Sequence, residues 1–303
     1  MAVEIRPYRE GLENDGDKRA VCDFLIRINR EKIASPHYLW ARWAWQFGPY
    51  MNPEHLSRIG IAQDNGKIVG LATYESDIGK IYFCLDREYA RREHRSLKEE
   101  LIGYAMENLS RGGELKILLP DGDLEFQQAA VRKGFTATEE KEAVARIDCT
   151  RLEYTLPEGY SVRSFADDGF DPERYYNAIW RGFNNQRQRN RRELEAMEQR
   201  EEFHSLHWDD SLRILVVAPN GDYAAHCGMW YLPGDEYACV EPVFTLPEYR
   251  RMGLGKAAVL EGVKRCRDLG ARCAYVGSSQ QFYYSLGFYP FENETWWFRK
   301  ESR

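Results

Sequence analysis

A glycine-rich turn in the second half of the chain carries the residues best suited to chemistry. It reads Tyr249-Arg-Arg-Met-Gly-Leu-Gly-Lys256, follows an apolar strand-like run at 240–246, and opens a predicted helix. The backbone N–H groups of such a turn and the positive end of the helix form a cradle for a diphosphate. Gly253 and Gly255 matter because side chains at these positions would keep an anion away from the backbone.

A second motif, Phe282-Tyr-Tyr-Ser-Leu-Gly-Phe288, follows downstream. Together the two motifs resemble the GNAT superfamily of acetyl-CoA-dependent N-acyltransferases, whose signature Q/R-x-x-G-x-G/A binds the pyrophosphate of coenzyme A. Arg250, Gly253 and Gly255 stand at the defining positions of that signature. The resemblance implies acetyl-CoA as cosubstrate. It also implies that Tyr283, four residues before Gly287, protonates the departing thiolate.

The resemblance further implies a set of cofactor-binding residues in three segments. Many members of the family carry an Asn about seven residues before the catalytic Tyr, whereas this chain has Val276, so Ser278 or Ser279 is expected to take that contact. In the family, backbone N–H groups before the turn hold the acyl carbonyl and the pantetheine. The full expected set is Val243, Phe244, Thr245, Arg250, Arg251, Met252, Gly253, Leu254, Gly255, Lys256, Ser278 and Ser279.

Glu241 is the first candidate for a general base, because a carboxylate is unexpected within the apolar strand 240–246. Burial would raise its pKa into a useful range. Since Glu241 precedes Thr245 by four residues, period-2 alternation places both on one face of the sheet. Alternatively, Glu241 is paired with an Arg or a backbone group at a sheet edge. Similarly open are a packing role for Tyr284 and a structural role, rather than a substrate contact, for His226.

Internal repetition indicates two tandem copies of one plan. Hairpins predicted around Asn65-Gly66 and Asn220-Gly221 are each followed by a strand, an amphipathic helix, another strand and a short helix. Those short helices end at Gly134-Phe135 and Gly287-Phe288. The order predicts an α/β (α+β) fold of two GNAT-like domains, 1–151 and 152–303, each a mixed, mostly antiparallel sheet flanked by helices. Thr155-Leu-Pro-Glu-Gly159 marks the boundary.

The two copies differ at the glycine-rich turn. Aligning them sets Ala90 against Arg250, Glu93 against Gly253 and Arg95 against Gly255. A carboxylate and a bulky cation in place of the glycines predict that the first copy does not bind coenzyme A in the manner of the family.

Two further segments are open to a structural or a functional interpretation. A basic run at 185–192 precedes a cluster of glutamates, which is typical of a solvated helix with i,i+4 ion pairs, although this region shapes the acceptor site in the family. Trp40, Trp43 and Phe47 share a helical face, which favours core packing over an aromatic acceptor pocket at the domain interface.

Composition narrows the class of protein. The 303 residues contain 43% hydrophobic residues, and the formal net charge of −6 argues against binding nucleic acid through bulk charge. The N-terminal residues do not show the apolar core of a signal peptide, no apolar run is long enough to span a bilayer, and the seven cysteines show no paired metal-ligand spacing. We therefore expect a reduced cytoplasmic protein without a metal, a membrane or a nucleic-acid partner.

The sequence thus predicts an N-acetyltransferase that moves acetyl from acetyl-CoA to a primary amine, expected to be a small molecule, by direct attack in a ternary complex. Its negative charge mildly favours cationic acceptors such as aminoglycosides, polyamines or amino-acid derivatives. The alternative is a non-catalytic protein that senses acetyl-CoA or a metabolite. A tandem aminoacyl transferase using charged tRNA is a third interpretation, against which the coenzyme A turn and the acidic chain both count.

Overall fold

The structure is a computed structural model that describes residues 3–9, 16–48, 51–90, 95–185 and 205–301. The chain forms two compact units. Unit 1 contains residues 1–144 and 292–303, and unit 2 contains residues 145–291. The last twelve residues of the chain therefore belong to the first unit. The sequence domains 1–151 and 152–303 remain a proposal for the extent of the two copies.

The described residues form twelve strands. In chain order they are β1 Glu4–Pro7, β2 Gly60–Asp64, β3 Lys67–Thr73, β4 Lys80–Leu85, β5 Glu114–Pro120, β6 Thr136–Asp148, β7 Ser161–Ser164, β8 Arg213–Val217, β9 Tyr223–Tyr231, β10 Tyr237–Thr245, β11 Cys273–Val276 and β12 Tyr289–Lys300.

Seven α-helices lie in the same described ranges. They are α1 Gly16–Asn29, α2 Trp40–Gln46, α3 Arg95–Asn108, α4 Leu124–Arg132, α5 Pro172–Gly182, α6 Leu254–Asp268 and α7 Gln281–Ser285. Short 3₁₀ turns occur at Pro53–Arg58, Asp210–Leu212 and Pro247–Tyr249.

The sheet of unit 1 has the order β1-β2-β3-β4-β5, followed by the parts of β12 and β6 that belong to this unit. From β1 to β12 in this order, neighbouring strands pair antiparallel, except β4 and β5, which pair in parallel through Lys80 and Ile81 on β4.

Trp40, Trp43 and Phe47 are buried in this unit, and the rings of Trp43 and Phe47 lie 4.8 Å apart. The aromatic stripe is therefore part of the core.

The sheet of unit 2 has the order β6-β11-β10-β9-β8-β7, where β6 contributes its last residues. Only the ladder between β10 and β11 is parallel, and it covers Tyr237 to Cys239 on β10. One side of this sheet, the helix face, packs against α6 through residues such as Ala225, Met229 and Val263. The opposite side, the aromatic face, packs against α5 through a cluster of Phe165, Tyr175, Tyr176, Ile179, Leu215, Tyr223 and Phe244.

Both units repeat the same local geometry, as the sequence predicts. After β4 in unit 1 the N–H of Tyr89 donates to Asp86 O, and after β10 in unit 2 the N–H of Tyr249 donates to Leu246 O, both at 2.9 Å. At the end of the short helix, the N–H of Phe135 donates to Ala130 O at 3.0 Å and the N–H of Phe288 to Tyr283 O at 3.2 Å. Gly134 and Gly287, which precede these phenylalanines, both have left-handed φ, 84° and 104°.

β10 contains a β-bulge that changes which way its side chains point. Val240 lies opposite Met229 and Val243 lies opposite Cys227, so three steps along β10 match two steps along β9. Val240 and Val243 both pack on the helix face although they are three residues apart. The extra residue lies at 241–242, and the alternation of the strand changes phase there.

Candidate functional site

A cleft of about 720 Å³ opens in unit 2 where β10 and β11 separate. β10 continues to Thr245, but its pairing with β11 ends at Cys239, just before the bulge. The walls come from the second half of β10, the turn before α6, the start of α6, the end of α5 and helix α7. The two sequence motifs therefore meet in one cavity.

The separation of the strands turns backbone groups of β10 toward the cleft. The N–H of Leu246 donates to Ala224 O on the β9 side at 2.9 Å. Because N–H groups along a strand alternate in direction, Val243 and Thr245 present theirs to the side away from β9, where the cleft lies. Phe244 directs its N–H toward β9 and its side chain into the aromatic face. Of the three residues predicted to hold the acyl carbonyl and the pantetheine, Val243 and Thr245 therefore direct their N–H groups toward the cleft, and Phe244 does not.

The turn before α6 leaves the first N–H groups of the helix without a side-chain cap. Gly253 is the N-cap residue, adopts a left-handed φ of 80°, and makes no capping hydrogen bond. The first four N–H groups of an α-helix have no acceptor within the helix, so they point out of its end. A Cβ built on Gly253 meets no atom within 4 Å, so the space beside this N-cap residue is open. This geometry fits a diphosphate.

Gly255 has a different role from Gly253. A Cβ at this position would lie 2.7 Å from Thr245 Oγ1 and 3.3 Å from Phe282 Cζ. The absence of a side chain therefore lets the first turn of α6 approach both β10 and α7. Gly253 thus leaves open space at the start of α6, whereas Gly255 allows α6 to pack closely against β10 and α7.

Among the described residues, the cations that line the cleft are all exposed: Arg250, Arg251 and Lys256. The guanidinium of Arg250 donates to Thr245 O at 3.2 Å, to Gly182 O at 3.0 Å and to Asn184 Oδ1 at 2.8 Å. It therefore ties the end of α5 to the turn. Arg251 has a φ of 64°, an uncommon conformation for a residue with a side chain, which is typical of functional turns.

Tyr283 lines the cleft from α7 and is 7% exposed. Burial is the main cause that raises the pKa of its phenol, and electrostatic interactions with Cys227 and Glu241 act in the same direction. The hydroxyl is therefore protonated throughout the neutral range and has a proton to donate there. Tyr284 is half-buried and packs against the core of the helix face, so the two adjacent tyrosines differ in environment.

Glu241 lies in the bulge and is half-buried. The alternation argument for placing Glu241 and Thr245 on one face does not hold, because the strand changes phase at 241–242. The backbone carbonyl of Glu241 accepts a hydrogen bond from Trp230 Nε1 at 2.8 Å. Its role as a general base stays a prediction.

The remaining predicted cofactor residues lie near the cleft but do not line it. Met252 is 40% exposed in the turn. Ser278 follows β11, and its hydroxyl accepts a hydrogen bond from the N–H of Gln280 at 3.2 Å, while Ser279 beside it is exposed. Their contacts with a cofactor stay predictions.

Sequence reasoning missed several residues of the cleft wall. These are Gly182, Phe183, Asn184, Tyr249, Gln280, Phe282, Ser285 and Leu286. Four of them already belong to the two sequence motifs, so assigning every motif residue to the site would have found Tyr249, Phe282, Ser285 and Leu286. The end of α5 carries no motif, and only the hydrogen bonds of Arg250 bring it to the turn.

His226 is completely buried on the aromatic face, where its ring lies 5.4 Å from that of Phe165 and 5.5 Å from that of Phe244. Burial, together with the charge of Arg213, lowers its pKa to about 3. The imidazole is therefore neutral and part of the packing, which favours the structural interpretation.

In the basic run, residues 186–192 and the glutamates that follow up to 202 lie outside the described residues.

In the corresponding region of unit 1, described side chains connect α3 to α4 and β4 to α4. Lys98, on α3 and 5% exposed, donates to both carboxylate oxygens of Asp123, the N-cap of α4, at 2.8 Å. The rings of Phe83 and Phe126 lie 5.2 Å apart. Ala130 occupies the position that Tyr283 has in unit 2, as judged from the shared hydrogen bond to the following Phe. Glu93 lies outside the described residues, and so does the side chain of Arg95.

Within the described ranges, no group of three or more His, Cys, Asp or Glu side chains is arranged to hold a metal ion. In the same ranges, no helix combines the length and the apolar character needed to cross a membrane.

Comparison with known proteins agrees with this geometry. Residues 174–289 match the model of the Acetyltransferase (GNAT) family. None of the curated proteins matches the chain significantly. Among solved structures, the chain is similar over its whole length to a tandem GNAT protein from the clavulanic acid biosynthesis pathway, with 14% identity, a TM-score of 0.62, and 100% and 99% of the two chains covered.

Two further structures show the same fold. A GCN5-related N-acetyltransferase from Sphaerobacter thermophilus is 14% identical, with a TM-score of 0.58 and coverage of 98% of this chain and 95% of that one. A GCN5-related N-acetyltransferase from Kribbella flavida is 15% identical, with a TM-score of 0.51 and coverage of 94% and 95%. Residues 174–289 therefore match the acetyltransferase family, and the chain as a whole shares its fold with a tandem GNAT protein.

Proposed function

We propose that this protein transfers acetyl from acetyl-CoA to the primary amine of a small molecule, and that the reaction takes place in the cleft of unit 2. The observation that carries the proposal is the meeting of three features in one cavity of about 720 Å³. These are the uncapped start of α6, the backbone donors of β10, and the buried hydroxyl of Tyr283.

Each feature answers one requirement of acyl transfer. The start of α6, with Arg251 and Lys256 beside it, would hold the diphosphate of coenzyme A. The N–H groups of Val243 and Thr245 would bind the pantetheine and the acyl carbonyl, whose oxygen becomes negative as the amine attacks. Such donors are fixed by the strand, so they need no reorganisation during the reaction.

Two side chains would move the protons. Glu241 would accept the proton of the attacking ammonium group, directly or through water, and Tyr283 would give its proton to the departing thiolate. Tyr283 suits this role because burial keeps its phenol protonated. Among the described residues that line the cleft there is no cysteine, which supports direct attack in a ternary complex over an acetyl-enzyme intermediate.

The acceptor is proposed to be a cationic small molecule such as a polyamine, an aminoglycoside or an amino-acid derivative. The net charge of −6 supports a cationic acceptor because the field of the protein attracts it. The same charge speaks against a nucleic-acid partner. A cytoplasmic location fits the seven cysteines, all of which are free thiols.

The proposal is tested by measuring thiol release from acetyl-CoA in the presence of spermidine, kanamycin and L-lysine. An N-acetyltransferase releases thiol only with a productive amine and forms one acetylated amine, detected by mass spectrometry, for each thiol. Tyr283→Phe should lower this rate, while Tyr284→Phe serves as the control on the same helix. Slow thioester hydrolysis that no amine accelerates and that Glu241→Gln leaves unchanged would instead favour a sensor that binds acetyl-CoA.

A further inference from the structure

A stack of one guanidinium and two indoles lies on the aromatic face of unit 2, beside the bulge of β10. The guanidinium of Arg213 lies 3.9 Å from the ring centroid of Trp208 and 3.9 Å from that of Trp230. Arg213 and Trp230 are each 1% exposed. A desolvated guanidinium held between two indole faces is a strong and geometrically specific contact, which fixes the position of both rings.

Trp230 transmits this fixed position to the bulge. Its Nε1–H donates to the backbone carbonyl of Glu241 at 2.8 Å. The bulge adds one residue to β10 at 241–242, so this carbonyl lies where the regular ladder with β9 is interrupted. The indole supplies a hydrogen bond at the point where a strand partner does not.

Gly228 completes the arrangement. It lies on β9 opposite the bulge and pairs with Arg213 on β8. A Cβ at this position would lie 2.4 Å from the backbone O of Glu241 and 2.9 Å from Arg213 Nη1. The bulge and the guanidinium therefore both occupy space that only a glycine leaves free.

We propose that Trp230 and Gly228, with Arg213 clamping the indole, form a positioning device that fixes the bulge of β10 and thereby the carboxylate of Glu241 and the backbone donors beyond it. Trp230, Gly228 and Arg213 act through Glu241 and β10 and do not touch the reacting atoms. The inference rests on the proposed function, because a precisely held base and oxyanion donors matter only if acyl transfer takes place in the cleft.

The test compares Trp230→Phe with Trp208→Phe. Both variants keep an aromatic ring against Arg213 and both remove an indole N–H, but that of Trp208 donates to Asp210 Oδ1 and that of Trp230 to the bulge. With the best amine among spermidine, kanamycin and L-lysine, we expect Trp230→Phe to lower kcat about tenfold with an unchanged KM for acetyl-CoA. Trp208→Phe should stay within about twofold of wild type.

A second readout does not depend on turnover. Amide hydrogen exchange of residues 238–245, measured by mass spectrometry, should become faster in Trp230→Phe and not in Trp208→Phe. Gly228→Ala should disturb the same segment, with Gly122→Ala as control because a Cβ there meets no atom within 4 Å. Equal exchange and equal kcat in the two Trp variants would overturn the positioning role. Absence of amine-dependent turnover in wild type would overturn the proposed function instead, and exchange would still decide the role of Trp230.

Discussion

The proposed diphosphate cradle at the start of α6 can be tested with two variants that add side chains of the same size, of which only one is charged. Gly253 has a left-handed φ of 80°, and a Cβ there meets no atom within 4 Å. Asn and Asp are the two residues with side chains that best tolerate this conformation, and they have nearly the same size. Gly253→Asn and Gly253→Asp are therefore a matched pair that differs in one negative charge.

The difference in affinity follows from the distance between the new carboxylate and the bound diphosphate. Two unit charges about 4 Å apart repel by about 1 kcal/mol in a water-like medium and by about 4 kcal/mol at an effective dielectric constant of about 20. Because about 1.4 kcal/mol is a factor of ten, Gly253→Asp should bind acetyl-CoA between about 5-fold and about 1,000-fold more weakly than Gly253→Asn.

The assay is isothermal titration calorimetry with acetyl-CoA at low and at high salt. The gap between the two variants should narrow as salt increases, because ions screen a charge in an exposed cleft. The free energy of unfolding of both apo variants should stay within about 2 kcal/mol of wild type, since the cost is confined to one left-handed residue. Equal dissociation constants for the Asn and Asp variants at low salt would refute the cradle.

Three further predictions follow from buried groups and from the difference between the two copies at the glycine-rich turn. Tyr283→Phe should lower kcat by about 100-fold or more while the Kd for acetyl-CoA changes little, and wild-type kcat should show no loss from this group below about pH 10, because burial raises the pKa of the phenol. A kcat similar to that of wild type would exclude the acid role. The pKa of His226 is about 3 in the folded protein and about 6.5 in the unfolded chain, so below pH 6.5 the unfolded state takes up a proton that the folded state does not. Between pH 7 and pH 5, wild type should lose about 2 kcal/mol more unfolding free energy in urea titrations than His226→Phe does, and parallel losses would contradict this pKa. Finally, calorimetry should give one acetyl-CoA per chain, because the first copy has Glu93 and Arg95 where the second has Gly253 and Gly255; two sites per chain would show that unit 1 also binds it.

Much of the fold could be predicted because it depends on local signals. Asn65-Gly66 and Asn220-Gly221 connect strands at the predicted places, and the landmarks of the two copies recur in the same order with the same hydrogen bonds. Local signals could not predict which of the two units the last strand, β12, would join. β12 follows α7 of the second copy along the chain, yet its residues 294–300 pair with β5 of unit 1. A strand's local sequence predicts its conformation but not which partner it will pair with.

The residues of the candidate site also fall into those that the sequence determined and those that only the tertiary structure decided. Sequence alone determined the glycine-rich turn and the aromatic motif of α7, because a turn that must leave backbone donors open can use only glycine at defined positions. Tertiary structure decided that Gly253 leaves space while Gly255 permits packing, and that Arg250 is held by the end of α5. It also decided the phase of β10. A single extra residue reverses the direction of every following side chain, and whether a strand contains that residue depends on what the neighbouring strand and side chains accommodate.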